Sequence, residues 1–323
     1  MIKSDIFSID RIELLQTLLK IVDSGSLSAA ARQLGTTQPT VSRRLQSLEQ
    51  LLGCRLLHRS THQLQLTEQG EQCYQQAREL TQRWQALTEQ LHSGDGSPKG
   101  LLRVRAPHAF GRDQLLKPLL AYLHAWPALA IDWQLNDRAP DFLAEALDCA
   151  IHVGPLSQTN LIAVKLAEVP RIVVAAPQLL AQCSADLRQT LGAAGAEPSL
   201  LAQLPWLAFS TYYRDVLALQ HPRTAAQYQL TLTPRFLSDN LYAIREAALA
   251  GLGAAVVSQW VVQDDLTAGH LVRLCAPWQA PPLPIYLLYP QAPYYPARLR
   301  HFIDFIKQVL PNIAGVAAPE ALL

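Results

Sequence analysis

Five side chains sit close together on one short stretch: Gln38, Thr40, Ser42, Arg43 and Arg44. Amides, hydroxyls and guanidinium groups are the donors that read base edges and hold phosphates in a DNA major groove. The chemistry they suggest is recognition, with no bond made or broken. Charge supports it. Between residues 32 and 59 there are five arginines (Arg32, Arg43, Arg44, Arg55, Arg59) and one acid, Glu49, so the formal local charge is +4, although the whole chain of 323 residues carries only +1. Positive charge concentrated beside base-reading side chains is the footprint of phosphate contact.

Elements must position those groups. Ser26 is placed to cap a first helix with Ala29, Ala30 and Leu34 on its apolar face. Gly35 ends that helix, Thr36 and Thr37 offer the next cap, and Pro39 falls in the first turn of a second helix. Val41, Leu45 and Leu48 then face inward, leaving the polar set outward. Cys54–His58 and Gln63–Leu66 read as two short strands, with Arg59-Ser-Thr-His62 as the tip between them, so Arg59, Thr61 and His62 can reach the backbone or minor groove. The alternative is an ordinary surface helical hairpin with two arginines. An earlier helix is expected from Ser8 to Gly25, with Ile12, Leu15, Leu18, Leu19 and Val22 on one face.

Thr67 caps a long helix running to about His92. Ala77, Leu80, Trp84, Leu87 and Leu91 recur on it at heptad spacing. A seam that narrow packs on its own domain or on the same helix of a second chain, and the second is favoured, since a small winged domain has little core to offer. Ser93–Gly100 has the composition of a hinge. Beyond it strands and helices alternate: Leu101–Arg105, a helix Phe110–Trp126, Ala130–Leu135, a helix Asp141–Leu147 and Cys149–Val153. A second set follows, with Arg171–Ala176, a helix from Gln178, Trp206–Phe209, a helix Asn240–Ala250 and Gly253–Val257. Leu283–Tyr289 and a helix Ala297–Val309 close it, and the tail from Pro311 is expected to fray. That alternation predicts a parallel α/β sheet in two lobes with a ligand cleft between them.

Hydrophobic content of 50% and charged content of 16% indicate substantial cores in two or three domains. The acidic start of the chain is unlike a secretory leader, and the longest apolar stretch, Ala247–Val257, is too short to span a bilayer. Five scattered cysteines without a paired motif fit a reducing, cytoplasmic setting; Cys149 and Cys183 leave a redox reading open. Nine dispersed histidines give no metal motif, and Gly251-Leu-Gly253 lacks a third glycine, so neither metal, cofactor nor enzyme chemistry is expected. An enzyme using the α/β cleft, and a DNA-binding protein without a ligand, are the competing readings.

Several segments together resemble the LysR-type transcriptional regulators. At the start these are Gly25-Ser-Leu-Ser-Ala-Ala-Ala, Gln38-Pro-Thr-Val-Ser-Arg, Leu48-Glu49 with Gly53, Leu57-His-Arg-Ser-Thr and Leu66-Thr-Glu-Gln-Gly70. Downstream they are Ala106-Pro-His-Ala-Phe-Gly, Leu147-Asp-Cys-Ala-Ile-His-Val-Gly154, Ala250-Gly-Leu-Gly-Ala-Ala-Val-Val and Pro282-Leu-Pro-Ile-Tyr. The resemblance implies a winged helix-turn-helix over residues 1–67, a linker and dimerisation helix over 68–92, and a hinge over 93–100. It implies an effector domain over 101–310, built like a periplasmic solute-binding protein, and a flexible tail over 311–323. Lobe I would take about 101–169 and 275–310, and lobe II about 170–274.

It further implies a homodimer, usually assembled into a tetramer. Such a protein binds promoter DNA of partial dyad symmetry, bends it, and changes the bend when a small molecule fills the cleft; contact with RNA polymerase is open. On the matching positions, Ser28, Arg32, Thr37, Gln38, Pro39, Thr40, Ser42, Arg43, Arg44, Arg59, Thr61 and His62 face DNA. Ala77, Leu80, Trp84, Leu87 and Leu91 form the dimer seam. Pro107, His108, Ala109, Phe110, His152, Gly154, Phe209, Ser238, Asn240 and Ser258 surround the effector. The loop at residues 107–110 precedes a helix whose backbone N–H groups can hold a carboxylate. His152, Ser258 and His108 depart from the family's commoner residues, so a neutral or weakly acidic effector is as open as a carboxylate. His152 reads equally as a structural histidine.

Overall fold

The computed structural model describes residues 10–58, 64–91, 96–142, 145–156, 161–193, 195–313 and 315–317; the side chains at 82, 85, 86 and 89–91 lie outside that description. Two compact units result, residues 1–97 with 292–300 and residues 98–291 with 301–323.

In the first unit, α1 (Arg11–Ser24) starts at Asp10, whose carboxylate accepts from the Ile12 N–H at 2.9 Å. The expected start at Ser8 lies outside the described residues. Leu14, Thr17, Leu18 and Ile21 are the buried line, so the face is rotated from the expected one. Half of the residues of this helix are apolar, and spacing alone does not choose among them. Ser26 caps α2 (Leu27–Gln33), accepting from the Ala29 N–H at 3.1 Å, and Ala30 and Ala31 are its buried residues. On α3 (Gln38–Leu52), Val41, Leu45 and Leu48 are buried and Pro39 sits in the first turn. Thr37 does not cap α3; its hydroxyl lies 2.9 Å from that of Thr40. Of the two expected wing strands, the described residues show a bridge between Leu57 and Leu66, with the His58 N–H donating to Gln65 at 2.9 Å; residues 59–63 lie outside the description. Thr67 accepts from the Gly70 N–H at 2.9 Å at the start of α4 (Glu68–Leu91), and Tyr74 on α4 donates to Asp23 at 2.7 Å.

The second unit opens with β1 (Gly100–Ala106), followed by a continuous helical run: α5 (His108–Phe110), a π-helical turn (Gly111–Leu115) and α6 (Leu116–Ala125). Then come β2 (Leu129–Leu135), β3 (Cys149–Val153) and the long β4 (Leu161–Ala175). Next are α7 (Pro177–Ala181), α8 (Ala185–Gly192), a 3-10 turn (Pro198–Gln203), β5 (Trp206–Phe209), the hairpin β6 (Val216–Gln220) with β7 (Gln227–Thr231), and β8 (Pro234–Ser238). The chain ends through α9 (Leu241–Leu249), β9 (Ala255–Ser258), α10 (Gln263–Thr267), β10 (Val272–Arg273), β11 (Ala280–Pro290) and α11 (Ala297–Val309).

The main sheet has the order β10-β4-β11-β3-β1-β2, with β9 also on β4. β1 is parallel to β2 and β3, but β11 runs antiparallel to β3 and β4, and β4 antiparallel to β9 and β10. The sheet is therefore mixed, which corrects the all-parallel expectation. The cause is β4 and β11, long strands that pair with one another. Pro170 on β4 falls where the pairing with β11 slips, between Ala280–Arg171 and Leu283–Val169, opposite Pro281 and Pro282. Prolines gathered at one irregularity sacrifice no regular ladder bond. β5 pairs in parallel with β8, and Trp206 bridges to Ala254.

Two cores result. Ile172–Ala176, Leu201, Trp206–Phe209 and Ala254–Val257 fill one. At the other end Leu102, Val104, Leu115 and Leu119 are buried, as is Phe302, and Tyr122 stacks on Phe305 at 4.3 Å. The helix expected over 141–147 is not formed among the described residues, which hold a turn closed by the Glu145 N–H on the Asp141 carbonyl at 3.0 Å. The buried Arg105 accounts for this, since it pairs with Glu145 and donates to the Ala139 carbonyl, drawing the segment onto β1. The tail is also corrected in part. Ala317 forms a bridge to Glu168 on β4, N···O 2.8 and 2.9 Å. Among the described residues, no helix is long and apolar enough to cross a membrane.

Candidate functional site

α3 divides cleanly. Opposite its buried line, Gln38, Pro39 and Arg43 are exposed and Thr40 and Ser42 half-buried. Gln46, absent from the expected set, is exposed on the same arc, three residues past Arg43 and four past Ser42, the spacing of neighbours on a helix surface. Ser28, Arg32 and Thr37 are exposed. Arg44 differs from the expectation, since it turns to α1 and pairs with Glu13, so its charge is partly used within the unit. Arg59, Thr61 and His62 lie outside the described residues.

Glu49 builds the base of the wing. Its Oε1 accepts from the backbone N–H groups of Leu56 at 2.8 Å and Leu57 at 3.4 Å. Gly70 closes the other side, because a Cβ there would stand 2.0 Å from the Leu56 carbonyl oxygen. Glu49→Ala leaves the N–H of the fully buried Leu56 unpaired and is expected to cost about 1–3 kcal/mol. Glu49→Gln, which keeps a carbonyl acceptor, should recover most of it. Urea unfolding of the three proteins checks this, and equal stability of all three would remove Glu49 from the wing.

On α4 the seam splits. Ala77 is 1% exposed and packs within the chain, whereas Leu80 (51%), Trp84 (52%) and Leu87 (39%) present apolar surface outward. The Leu91 side chain is outside the described set.

The second unit contains a half-open cavity; the space within its walls, open solvent included, is about 480 Å³. Pro107, His108, Ala109, Phe110, Phe209, Asn240 and Ser258 line it, seven of the ten expected residues. Three do not. His152 sits on β3 with its Nε2 3.1 Å from the Pro155 carbonyl, a structural role. Ser238 accepts from the Asn240 N–H at 3.1 Å. Gly154 has φ 110°, and a Cβ there would stand 2.9 Å from the Tyr212 ring, so it makes room for a wall without being one.

The new wall residues are Asp137, Tyr212, Tyr242 and Trp260, with apolar Val153, Val169, Leu241 and Leu283. Sequence alone hid Asp137, which lies in the loop after β2 and meets the 107–110 loop only through the parallel pairing of β1 and β2. Its Oδ1 accepts from the His108 N–H at 3.0 Å. Burial raises the Asp137 carboxyl above its ordinary pKa, against the opposing pull of that hydrogen bond. Among the described residues the buried His108 Nδ1 has no hydrogen-bond partner, a costly state that a bound molecule can relieve.

Asn240 caps α9, its Oδ1 accepting from the N–H groups of Tyr242 and Ala243 at 2.9 and 3.1 Å. Tyr242 then reaches across, donating to Asp113 at 2.5 Å, with the Arg112 guanidinium 5.3 Å from its ring centre. Burial, then the Asp113 bond, pushes its phenol upward, so it stays a donor. Phe110 meets Trp260 edge-on at 6.0 Å. Burial also raises the thiols of Cys149 and Cys275, the latter to about 11, which disfavours their thiolate forms at neutral pH.

Two families match the chain: residues 12–71 match the bacterial regulatory helix-turn-helix protein, lysR family, and residues 95–311 the LysR substrate binding domain. The HTH-type transcriptional regulator PtxR of Pseudomonas aeruginosa is 28% identical over 92% of either chain. The HTH-type transcriptional regulator DmlR of Escherichia coli is 29% identical over 91% of this chain and 92% of its own. Among solved structures, the full-length virulence activator AphB of Vibrio cholerae is 26% identical with a TM-score of 0.55, covering 92% of this chain and 98% of its own. A full-length OxyR variant from Pseudomonas aeruginosa shares the fold at a TM-score of 0.65 and 16% identity, over 98% and 99% of the two chains.

Proposed function

The chain belongs to the LysR family of bacterial transcription regulators, and from that premise we propose how its residues divide the work. Gln38, Pro39, Thr40, Ser42 and Arg43, with Gln46, read the operator; Ser28, Arg32, Thr37 and Arg44 flank them; and Arg59, Thr61 and His62 hold the wing to DNA. Leu80, Trp84 and Leu87 form the contact between two copies. A small effector occupies the cavity lined by His108, Phe110, Asn240 and Ser258 and alters the DNA-bound state. The protein acts on promoter DNA in the cytoplasm. A tetramer and a contact with RNA polymerase rest on the family alone.

One observation carries the effector assignment. The cavity is mostly apolar and aromatic, and one polar group facing it, the buried His108 Nδ1, has no hydrogen-bond partner among the described residues. Ser258→Trp, which fills it, tests the assignment. A reporter driven by the protein's own operator should stop varying with growth condition while operator affinity stays unchanged. Variation that persists in this variant would sink the assignment.

Assembly has its own test. Trp84→Glu puts a charge into the proposed contact and is expected to cost about 2 kcal/mol or more of association. Sedimentation should show a shift toward monomers, whereas an unchanged oligomer would remove the α4 seam from the interface.

A further inference from the structure

The cavity has an unusual balance of charge. Asp137 is its one carboxylate, and among the described residues no lysine or arginine lines it. One Asp137 oxygen is held by the His108 N–H, and the other has no hydrogen-bond partner among the described residues. That N–H stands at the start of the helical run, where an anionic ligand would naturally sit. The protein's own carboxylate already occupies the place. An incoming carboxylate would meet Asp137 at close range with no cation to offset the repulsion. Arg171 does not line the cavity; its Nε donates to the Pro281 carbonyl at 2.9 Å and its guanidinium lies 5.8 Å from the Tyr212 ring centre.

The other walls favour the opposite charge. Phe110, Phe209 and Trp260 present aromatic surface to the same space, and aromatic faces attract cations. A free carboxylate oxygen beside aromatic rings is the chemistry of ammonium recognition.

We propose that the effector is a small molecule with an apolar body and a protonated amine, the amine donating to Asp137. This rests on the reading of the cavity as the effector site and names the class of ligand it takes.

Three probes of similar body test it on the full chain by thermal shift and calorimetry: 2-phenylethylamine, 2-phenylethanol and 3-phenylpropanoate. Wild type should bind the amine roughly ten- to hundredfold more tightly than the carboxylate, as a charge-assisted hydrogen bond gives, with the alcohol between them. Asp137→Asn keeps an acceptor for the His108 N–H, so the loop is retained. In that variant the amine should lose its advantage over the alcohol. A carboxylate that binds wild type as well as the amine overturns the charge class and leaves the cavity reading standing, as does an amine advantage that survives Asp137→Asn. No binding by any probe at millimolar concentration overturns both. The wild-type comparison stands alone if the variant fails to fold.

Discussion

Arg245→Ala is expected to destabilise the protein by about 3 kcal/mol, the low end of what removing one partner of a buried ion pair costs, since the carboxylate is buried and the guanidinium half-buried. Arg245, on α9, grips Asp265 with two bonds, Nε to Oδ2 at 2.6 Å and Nη2 to Oδ1 at 2.7 Å. Asp265 is only 5% exposed, so losing the guanidinium strands a carboxylate away from water. The same bond raises the pKa of Arg245. Asp265→Ala should cost less, because Arg245 keeps solvent contact and lies 2.7 Å from the exposed Glu246. Arg245→Lys should fall between, since an ammonium cannot reproduce the two-pronged geometry. Urea midpoints of the three variants decide it. Asp265→Ala costing more than Arg245→Ala would contradict the account. The pair matters for function because α9 carries Tyr242 and is capped by Asn240, two walls of the cavity.

The second large effect is on DNA. Gln38→Ala and Arg43→Ala should each weaken operator binding by about 1–3 kcal/mol and binding to scrambled duplex much less, as removal of a base contact does. Arg44→Ala should behave differently. Its guanidinium is paired with Glu13, so its loss removes a link between α1 and α3. Gel-shift titrations on both duplexes separate the cases, and equal losses on both for Gln38→Ala would end its base-reading role.

Local chemistry made much of this legible in the sequence. The cap at Ser26, Pro39 in a first turn and the Val41, Leu45, Leu48 line are decided within a few residues. So was the 107–110 loop, placed by the end of β1. What stayed hidden depends on contacts distant in the chain. Asp137 reaches His108 because two strands pair, and Tyr242 reaches Asp113 across 129 residues. The mixed sheet was missed because Lys165, Glu168 and Pro170 disguise β4; Lys165 and Glu168 pair with each other at 2.6 Å, and Pro170 sits at a slip in register. The described residues of 141–147 form a turn for a related reason, a buried arginine on β1 that periodicity in that segment does not reveal.

If the cavity is the effector site, its occupancy and operator binding are coupled, and thermodynamic linkage measures that coupling. Take any small molecule that raises the melting temperature of the wild-type chain and leaves Ser258→Trp unmoved. Its Kd is measured on the full chain with and without saturating operator duplex. Operator Kd is then measured with and without the molecule. Both affinities should change by the same factor, about 5- to 150-fold as is typical of such coupling. An identical small-molecule Kd in the presence and absence of operator would contradict it.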